Sequence, residues 1–323
     1  MLNTAPAVLY RRRPSCGRIE PMDETPLTEL HRHLDGSLRA TTVQMLAAEM
    51  GIHVPEDIYF YPGMGLGEAL SKFSFTLALL QTATSLARVA SELCEDARGE
   101  GIEHLEIRFA PQLHGRKGLS MDQVIDAVLD GFDMPGGVIL CGLYGDAPAL
   151  LTELVDLAAT RPRVIGIDLA GGPTSSHRWG LADYCEPFAR ARRHGLGRTV
   201  HAGEGRPAAE IKFAIEHLNA QRIGHGLSLA DDAELVDLVI ARGVTIEACP
   251  TSNWHTGVIE SLSAHPIKHW LGLGVAVAIC TDNTLFSNVD LPTELRRTSQ
   301  ATGLSDDELN VIHEAAHQAR FIS

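Results

Sequence analysis

The segment Val164-Ile-Gly-Ile-Asp-Leu-Ala-Gly171 is a short, apolar, β-prone run that ends in glycine. Seven further runs of this kind recur along the chain, and most are followed by a helical pattern. The eight runs are Leu27–Leu34, His104–Ala110, Val138–Tyr144, Val164–Ala170, Arg198–His201, Arg222–His225, Val244–Ala248 and Val275–Cys280. Most successive runs are about 20 to 35 residues apart, the length of one strand–loop–helix–loop unit. This alternation predicts an α/β fold with a parallel sheet closed into a (β/α)₈ TIM barrel, with an open α/β sheet as the alternative.

Helix signals occupy the segments between these runs. Ser120–Gln123, Ser228–Asp231 and Ser305–Glu308 each resemble a capping box that opens an apolar-periodic stretch. The interval between the first two runs is more than twice the others. We therefore expect extra helices from Thr41 to Gly101 that form a lid over the barrel mouth.

The chain is predicted to form one barrel domain over residues 23–323 after a flexible tail over residues 1–22, with Met22 as an alternative start. Its 27 basic and 41 acidic residues give a formal charge of −14, which repels phosphate backbones and anionic membranes. A small, near-neutral ligand fits this charge better. Six cysteines without a CxxC pair, and no apolar stretch near the amino terminus, predict reduced thiols in the cytoplasm.

The carboxyl ends of barrel strands converge on one pocket, so the residues there indicate the chemistry. These ends read His31-Arg-His33-Leu-Asp35-Gly36, His201-Ala-Gly-Glu204, Gly224-His225-Gly226 and Thr281-Asp282-Asn283. Because strand side chains alternate between faces, His31 and His33 point to the same side of the barrel. With His201 and Asp282 at two other strand ends, three imidazoles and a carboxylate form a ligand set suited to zinc.

Two further strand-end residues suit proton transfer. Glu204 lies three residues after His201, close enough to approach a substrate at the metal, which suits a proton donor. His225 is either a fifth ligand or an acid/base group beside the metal. A two-metal site normally needs a bridging group, often a modified lysine on strand four, but that strand ends Asp168-Leu-Ala-Gly171. One metal ion is therefore expected.

The motifs stand in the order expected of the adenosine deaminase family, which the chain resembles from Thr28 to its carboxyl terminus. They are Glu29-Leu-His31-Arg-His33-Leu-Asp35-Gly36, Gly166-Ile-Asp-Leu-Ala-Gly171, His201-Ala-Gly-Glu204, Arg222-Ile-Gly-His225-Gly226, Ser252-Asn253 and Thr281-Asp282. The resemblance implies one zinc ion per chain, held by His31, His33, His201 and Asp282. It also implies a hydrolase that converts adenosine and 2′-deoxyadenosine to inosine and deoxyinosine plus ammonia.

The resemblance assigns roles around the purine. Glu204 would protonate the ring, His225 would hold the attacking hydroxide, and Asp282 would help to orient and deprotonate the water. The backbone of Gly171 would meet the purine edge, and Asp35 would accept a hydrogen bond from the ribose 5′-hydroxyl. Where the family usually has a second aspartate that donates to the purine N7, this chain has Asn283, whose amide donates without needing a proton.

Alternative functions have sequence support of their own. Two alternatives use the same barrel: a deaminase of another 6-aminopurine nucleoside with a modified 5′ group, and a different mononuclear metal-dependent amidohydrolase that cleaves an amide or ester. A nucleoside-binding protein without turnover is a non-enzymatic alternative. His313-Glu-Ala-Ala-His317 matches the HExxH motif of zinc proteases but has no third ligand downstream, so an ordinary helix face is expected. Cys249-Pro250 reverses the order found in nucleic-acid deaminases, which excludes that class.

Overall fold

The computed structural model describes residues 26–174 and 176–321, and for residues 230 and 231 only the backbone. The predicted tail, including Met22, lies outside the described residues. Parallel strands follow one another around a single sheet in sequence order. Their bounds are β1 Leu27–His33, β2 Ile102–Phe109, β3 Gly136–Leu143, β4 Val164–Ala170, β5 Gly197–Ala202, β6 Arg222–His225, β7 Thr245–Ala248 and β8 Ala276–Ile279. Every predicted run overlaps a strand, and each strand end lies within two residues of the predicted end.

Two backbone hydrogen bonds close the sheet between its last and first strands. The N–H of Asp282 donates to the carbonyl of His31, and the N–H of His33 donates to the carbonyl of Asp282, both at 2.8 Å. The segment after β8 therefore pairs with β1 in parallel. The barrel is confirmed and the open sheet is wrong. Closure takes place at the segments that carry three of the predicted metal ligands.

Helices connect the strands on the outside of the barrel. They are α1 Ala40–Met50, α2 Leu66–Leu79, α3 Ala83–Glu100, α4 Met121–Gly131, α5 Pro148–Ala159, α6 Cys185–Arg193, α7 Ala208–Glu216, α8 Ala233–Arg242, α9 Pro250–His255, α10 Ile267–Leu273, α11 Leu291–Thr302 and α12 Asp306–Gln318. The predicted extra helices after β1 are present as α1 to α3. Helix α3 packs on β2 and α4, whereas residues of α2 line the pocket at the barrel mouth. No helix of the described residues is long and apolar enough to cross a membrane.

Two of the three predicted capping boxes are confirmed. The side chains of Ser120 and Ser305 each accept a hydrogen bond from the backbone N–H three residues later. The prediction for Ser228 is wrong, because residues 227–231 form a 3₁₀ turn. Helix α8 is capped instead by Asp232, whose carboxylate accepts from the N–H of Leu235 at 3.0 Å.

The barrel interior below the strand ends holds buried charged residues. Arg108 forms ion pairs with Asp168 at 3.0 Å and with Glu247 at 2.9 Å. Arg222 pairs with Glu106 at 2.6 Å and with Glu247 at 2.7 Å. All five side chains are at most 1% exposed. A buried charge that loses its partner is strongly unfavourable, so this network restrains each carboxylate within it.

Candidate active site

The four predicted metal ligands meet at the carboxyl ends of β1 and β5 and in the segment after β8. The ligand nitrogens of His31, His33 and His201 lie within 4.8 Å of one another. Oδ1 of Asp282 is 3.4 Å from Nε2 of His33 and 3.7 Å from Nε2 of His31. The structure therefore brings together three imidazoles and one carboxylate, a donor set that zinc accepts.

Carboxylates behind the histidines set the direction of two of the rings. Nδ1 of His31 donates to Glu247 at 2.7 Å, and Nδ1 of His201 donates to Asp168 at 2.9 Å. With the proton on Nδ1, the lone pair of Nε2 faces the centre of the cluster. Nε2 of His31 is buried without a hydrogen-bond partner, so a cation there would satisfy it. Burial also lowers the pKa of His31, which favours the neutral imidazole that binds metals.

Left-handed backbone conformations place two of the polar side chains. Asp282 has φ 60° and His225 has φ 65°, values that non-glycine residues seldom adopt. Both residues lie at or just beyond a strand end, where the chain turns sharply. Such conformations cost free energy and persist where the surrounding structure holds them, as it does at many functional sites.

Glu204 and His225 lie side by side next to the ligand cluster. Oε2 of Glu204 is 3.7 Å from Nε2 of His225, and both residues are buried. Burial raises the pKa of Glu204, so its carboxyl group keeps a proton to higher pH than usual. Burial lowers the pKa of His225 to about 3. The pair is therefore a carboxyl group inclined to be protonated beside a neutral imidazole.

Three side chains at or just after helix α9 fix these polar groups. Ser252 donates to Oδ2 of Asp282 at 2.6 Å. The amide of Asn253 donates to Nδ1 of His225 at 3.0 Å, which leaves the imidazole proton on Nε2. Thr256 donates to Oε1 of Glu204 at 3.4 Å.

The pocket above the cluster opens to solvent, and the space between its lining residues, open solvent included, is about 430 Å³. Phe60 and α2 residues such as Leu66, Leu70 and Phe73 give it an apolar wall, opposite the polar cluster. None of its lining residues is Lys or Arg among those that the structure describes. Such a cavity suits an aromatic ring that carries a few polar atoms and no net negative charge.

The three predicted substrate-binding residues differ in their placement. Gly171 and Asn283 line the pocket, whereas Asp35 is buried and is not among the lining residues. Oδ1 of Asp35 has no hydrogen-bond partner, and burial raises its pKa to about 7. Next to it, a Cβ atom on Gly36 would lie 1.8 Å from Oδ1 of Asn283, so any larger residue at position 36 would displace the Asn283 side chain.

Several residues that support the site belong to no predicted motif. Glu247 and Arg108 lie within predicted strands, and Thr256 lies outside every predicted motif. A signal for Glu247 and Arg108 is present, because each is a charged residue within a predicted strand. Such a residue in a fully buried strand needs a buried partner. The histidines of the HExxH match lie on α12, which packs outside β8 and β1, and Nε2 of His317 contacts Arg320 at 2.7 Å.

A parallel (β/α)₈ barrel with histidines and an aspartate at its strand ends has the architecture of a metal-dependent amidohydrolase. Comparison with known proteins narrows the class. The family model described as Adenosine deaminase matches residues 26–323. The chain belongs to the adenosine deaminase family and is a hydrolase of that family.

Its relatives act on different forms of the purine. The chain is 37% identical over 317 residues to an adenosine deaminase of Clostridium botulinum (strain Loch Maree / Type A3), covering 92% of this chain and 93% of the relative. It resembles the structure of an adenine deaminase from Arthrobacter aurescens, with TM-score 0.84, 25% identity and coverage of 93% and 95%. An Arabidopsis N6-mAMP deaminase gives TM-score 0.83, 26% identity and coverage of 93% and 94%. These names include a nucleoside, a base and a nucleotide.

Proposed function

We propose that the protein is a zinc-dependent deaminase that converts adenosine and 2′-deoxyadenosine to inosine and 2′-deoxyinosine with release of ammonia. The observation that carries the proposal is the position of Glu204. A buried carboxyl group with a raised pKa lies beside His225, next to the cluster of His31, His33 and His201, which Asp282 joins through Oδ1. An acid of this kind can protonate a ring nitrogen while water attacks the adjacent carbon.

Different residues of the site bind the metal, orient the water and take its proton in the proposed reaction. His31, His33, His201 and Asp282 would hold a zinc ion, which would supply Lewis-acid activation of the attacking water. His225, neutral and with its proton on Nε2, donates a hydrogen bond that orients this water. Asp282, whose second oxygen is held by Ser252, takes the water proton.

Glu204 performs the complementary transfer on the purine. Its carboxyl group gives a proton to N1 as the hydroxyl group adds to C6, so the ring carries no excess negative charge. The proton taken from water then passes to the 6-amino group, which leaves as ammonia. As C6 becomes the carbonyl carbon of the 6-oxo product, the proton of the added hydroxyl group leaves and restores the proton of Glu204, directly or through solvent, while N1 keeps the proton it received.

Charge distribution favours a nucleoside over a nucleotide. The described pocket lining offers no Lys or Arg to pair with a 5′-phosphate, and the chain carries a formal charge of −14. Asp35 would accept a hydrogen bond from a 5′-hydroxyl, whereas its carboxylate repels a phosphate. The amide of Asn283 donates to N7 at any pH, so base recognition needs no protonated carboxyl group.

A panel of 6-aminopurines tests the proposal. Formation of the 6-oxo purine should give the highest kcat/KM for adenosine and 2′-deoxyadenosine, with adenine, AMP and N6-methyl-AMP well below them; the leaving group is ammonia, or methylamine from N6-methyl-AMP. Adenosines with enlarged 5′ groups belong in the panel, because a preference for one of them would replace the proposed substrate. Absence of a 6-oxo product from every member of the panel, with zinc bound, would refute the deaminase assignment.

A further inference from the structure

Helix α9 (Pro250–His255) and the residue that ends it contact three separate groups of the candidate site. Ser252 holds Asp282, Asn253 holds His225, and Thr256 holds Glu204. A shift of this one short helix would therefore move the proposed water base, the water-orienting imidazole and the proton donor together.

The start of α9 lacks a cap of its own. Its N-cap residue, Cys249, makes no capping hydrogen bond through its side chain, and Pro250 has no N–H. The next donor is the N–H of Thr251, which would be buried and unpaired without a partner. Its partner is Oε1 of Glu294, which accepts at 2.7 Å. Glu294 belongs to α11, so the cap comes from a different element.

The buried position of Glu294 is energetically unfavourable for a carboxyl group. Its side chain is fully buried, and its second carboxyl oxygen has no hydrogen-bond partner. Burial raises its pKa to about 7, which shows how poorly the environment solvates a charge there. An apolar side chain would fill the same space without that cost. The hydrogen bond to Thr251 is what the carboxyl group contributes.

We propose that Glu294 is a positioning residue that fixes the start of α9 and, through it, the orientation of Asp282, His225 and Glu204. The inference rests on the proposed function, since it concerns the same three groups. It predicts that catalysis depends on a hydrogen-bond acceptor at position 294 and not on a charge.

Four variants separate positioning from simple packing. Glu294→Gln keeps an acceptor oxygen for Thr251, Glu294→Leu fills the space without one, and Glu294→Asp withdraws the carboxyl group by one methylene. Thr298→Val is the matched control, since Thr298 lies one turn further along α11 and its buried hydroxyl group has no partner. For each variant we would measure kcat and KM for adenosine, the melting temperature, and the rate at which a chelator removes zinc.

We expect Glu294→Gln and Thr298→Val to keep kcat within about threefold of wild type, because neither removes a needed hydrogen bond. Glu294→Leu should lose roughly 10- to 100-fold in kcat, with a much smaller change in KM, since small displacements of reacting groups are costly. If Glu294→Leu does not fold, Glu294→Asp carries the test, with an expected loss of at least about fivefold.

Two results would overturn the inference. One is a Glu294→Leu protein (or, if that does not fold, Glu294→Asp) with kcat within about twofold of wild type. The other is a Glu294→Gln protein as impaired as Glu294→Leu, since the acceptor would then be irrelevant.

If the wild type releases no ammonia, the proposed function fails, and the rate of zinc release alone tests the inference. Glu294→Leu should then lose zinc about tenfold faster than Thr298→Val, because Ser252 no longer holds Asp282 in place, and equal rates would refute the positioning role.

Discussion

Replacing Glu247 by glutamine tests whether the buried charges of the barrel hold the first metal ligand in place. Glu247 accepts from Nδ1 of His31 at 2.7 Å and pairs with Arg108 at 2.9 Å and with Arg222 at 2.7 Å. Glutamine has the same shape but no charge. The substitution leaves two buried guanidinium groups with one counter-charge fewer, and it weakens the acceptor behind His31.

Two effects of different size should follow. Breaking a buried ion pair by neutralising one partner costs about 3–5 kcal/mol of folding free energy. For a chain of this length that corresponds to a fall in melting temperature of roughly 4–7 °C. Loss of the carboxylate behind a metal-binding histidine lowers metal affinity by roughly 10- to 100-fold.

Glu106→Gln is the matched control for Glu247→Gln. Glu106 is also fully buried and pairs with Arg222 at 2.6 Å, but its contacts are with His104 and Phe321 and not with a metal ligand. Both variants should lose stability in thermal unfolding, and only Glu247→Gln should lose zinc in competition with a chelator. Equal zinc affinity in the two variants would show that the buried network stabilises the barrel without orienting His31.

Three further predictions concern the site itself. Wild-type protein should hold about one zinc ion per chain, and His201→Ala should lose both metal and activity; two tightly bound ions per chain would contradict the mononuclear site. Glu204→Gln should retain zinc and bind adenosine while turnover falls by roughly 10²-fold or more, and a near-normal rate would remove Glu204 from the mechanism. At pH 8, Asp35, whose pKa is about 7, carries a negative charge. Adenosine should then exceed AMP in kcat/KM by up to about a thousandfold, since the Asp35 carboxylate and a 5′-phosphate about 4 Å apart would repel by about 4 kcal/mol at the effective dielectric of such a site. Asp35→Asn should narrow that ratio, and an unchanged ratio would mean that Asp35 plays no part in selecting the 5′ group.

The barrel could be predicted from the sequence because its signals are local. Each strand is an apolar run bounded by turn residues, and one motif at a strand end places its ligands by simple alternation, as for His31 and His33. The helix cap predicted at Ser228 is wrong because that prediction, like the two correct ones, used only the local sequence pattern. Its local pattern fits a helix start, but the chain first makes a 3₁₀ turn and the helix begins after Asp232.

The contacts that orient the site could not be read from local patterns. Glu294 is 43 positions away from Thr251, and Glu247 is 216 positions away from His31. Only the closed barrel brings such residues together, and no periodicity indicates which buried carboxyl group faces which donor. The sequence contains a weaker signal for Glu247, which interrupts the apolar pattern of its strand, but such a residue does not indicate its partner. Glu294 lies in a polar helix and has no such signal.

Solved structures that share this barrel are named for different purine substrates. Proteins named for adenine and for N6-mAMP give TM-scores of 0.84 and 0.83, so the barrel itself does not distinguish a base from a nucleotide. In this chain the apolar pocket wall comes from the long segment between β1 and β2, through Phe60 and residues of α2 such as Leu66 and Phe73. A nucleotide-selective site needs a cation near the 5′ position to offset the phosphate charge. We therefore expect selection between nucleoside and nucleotide to depend on the charged groups near the 5′ position, Asp35 among them, and not on the proposed zinc ligands.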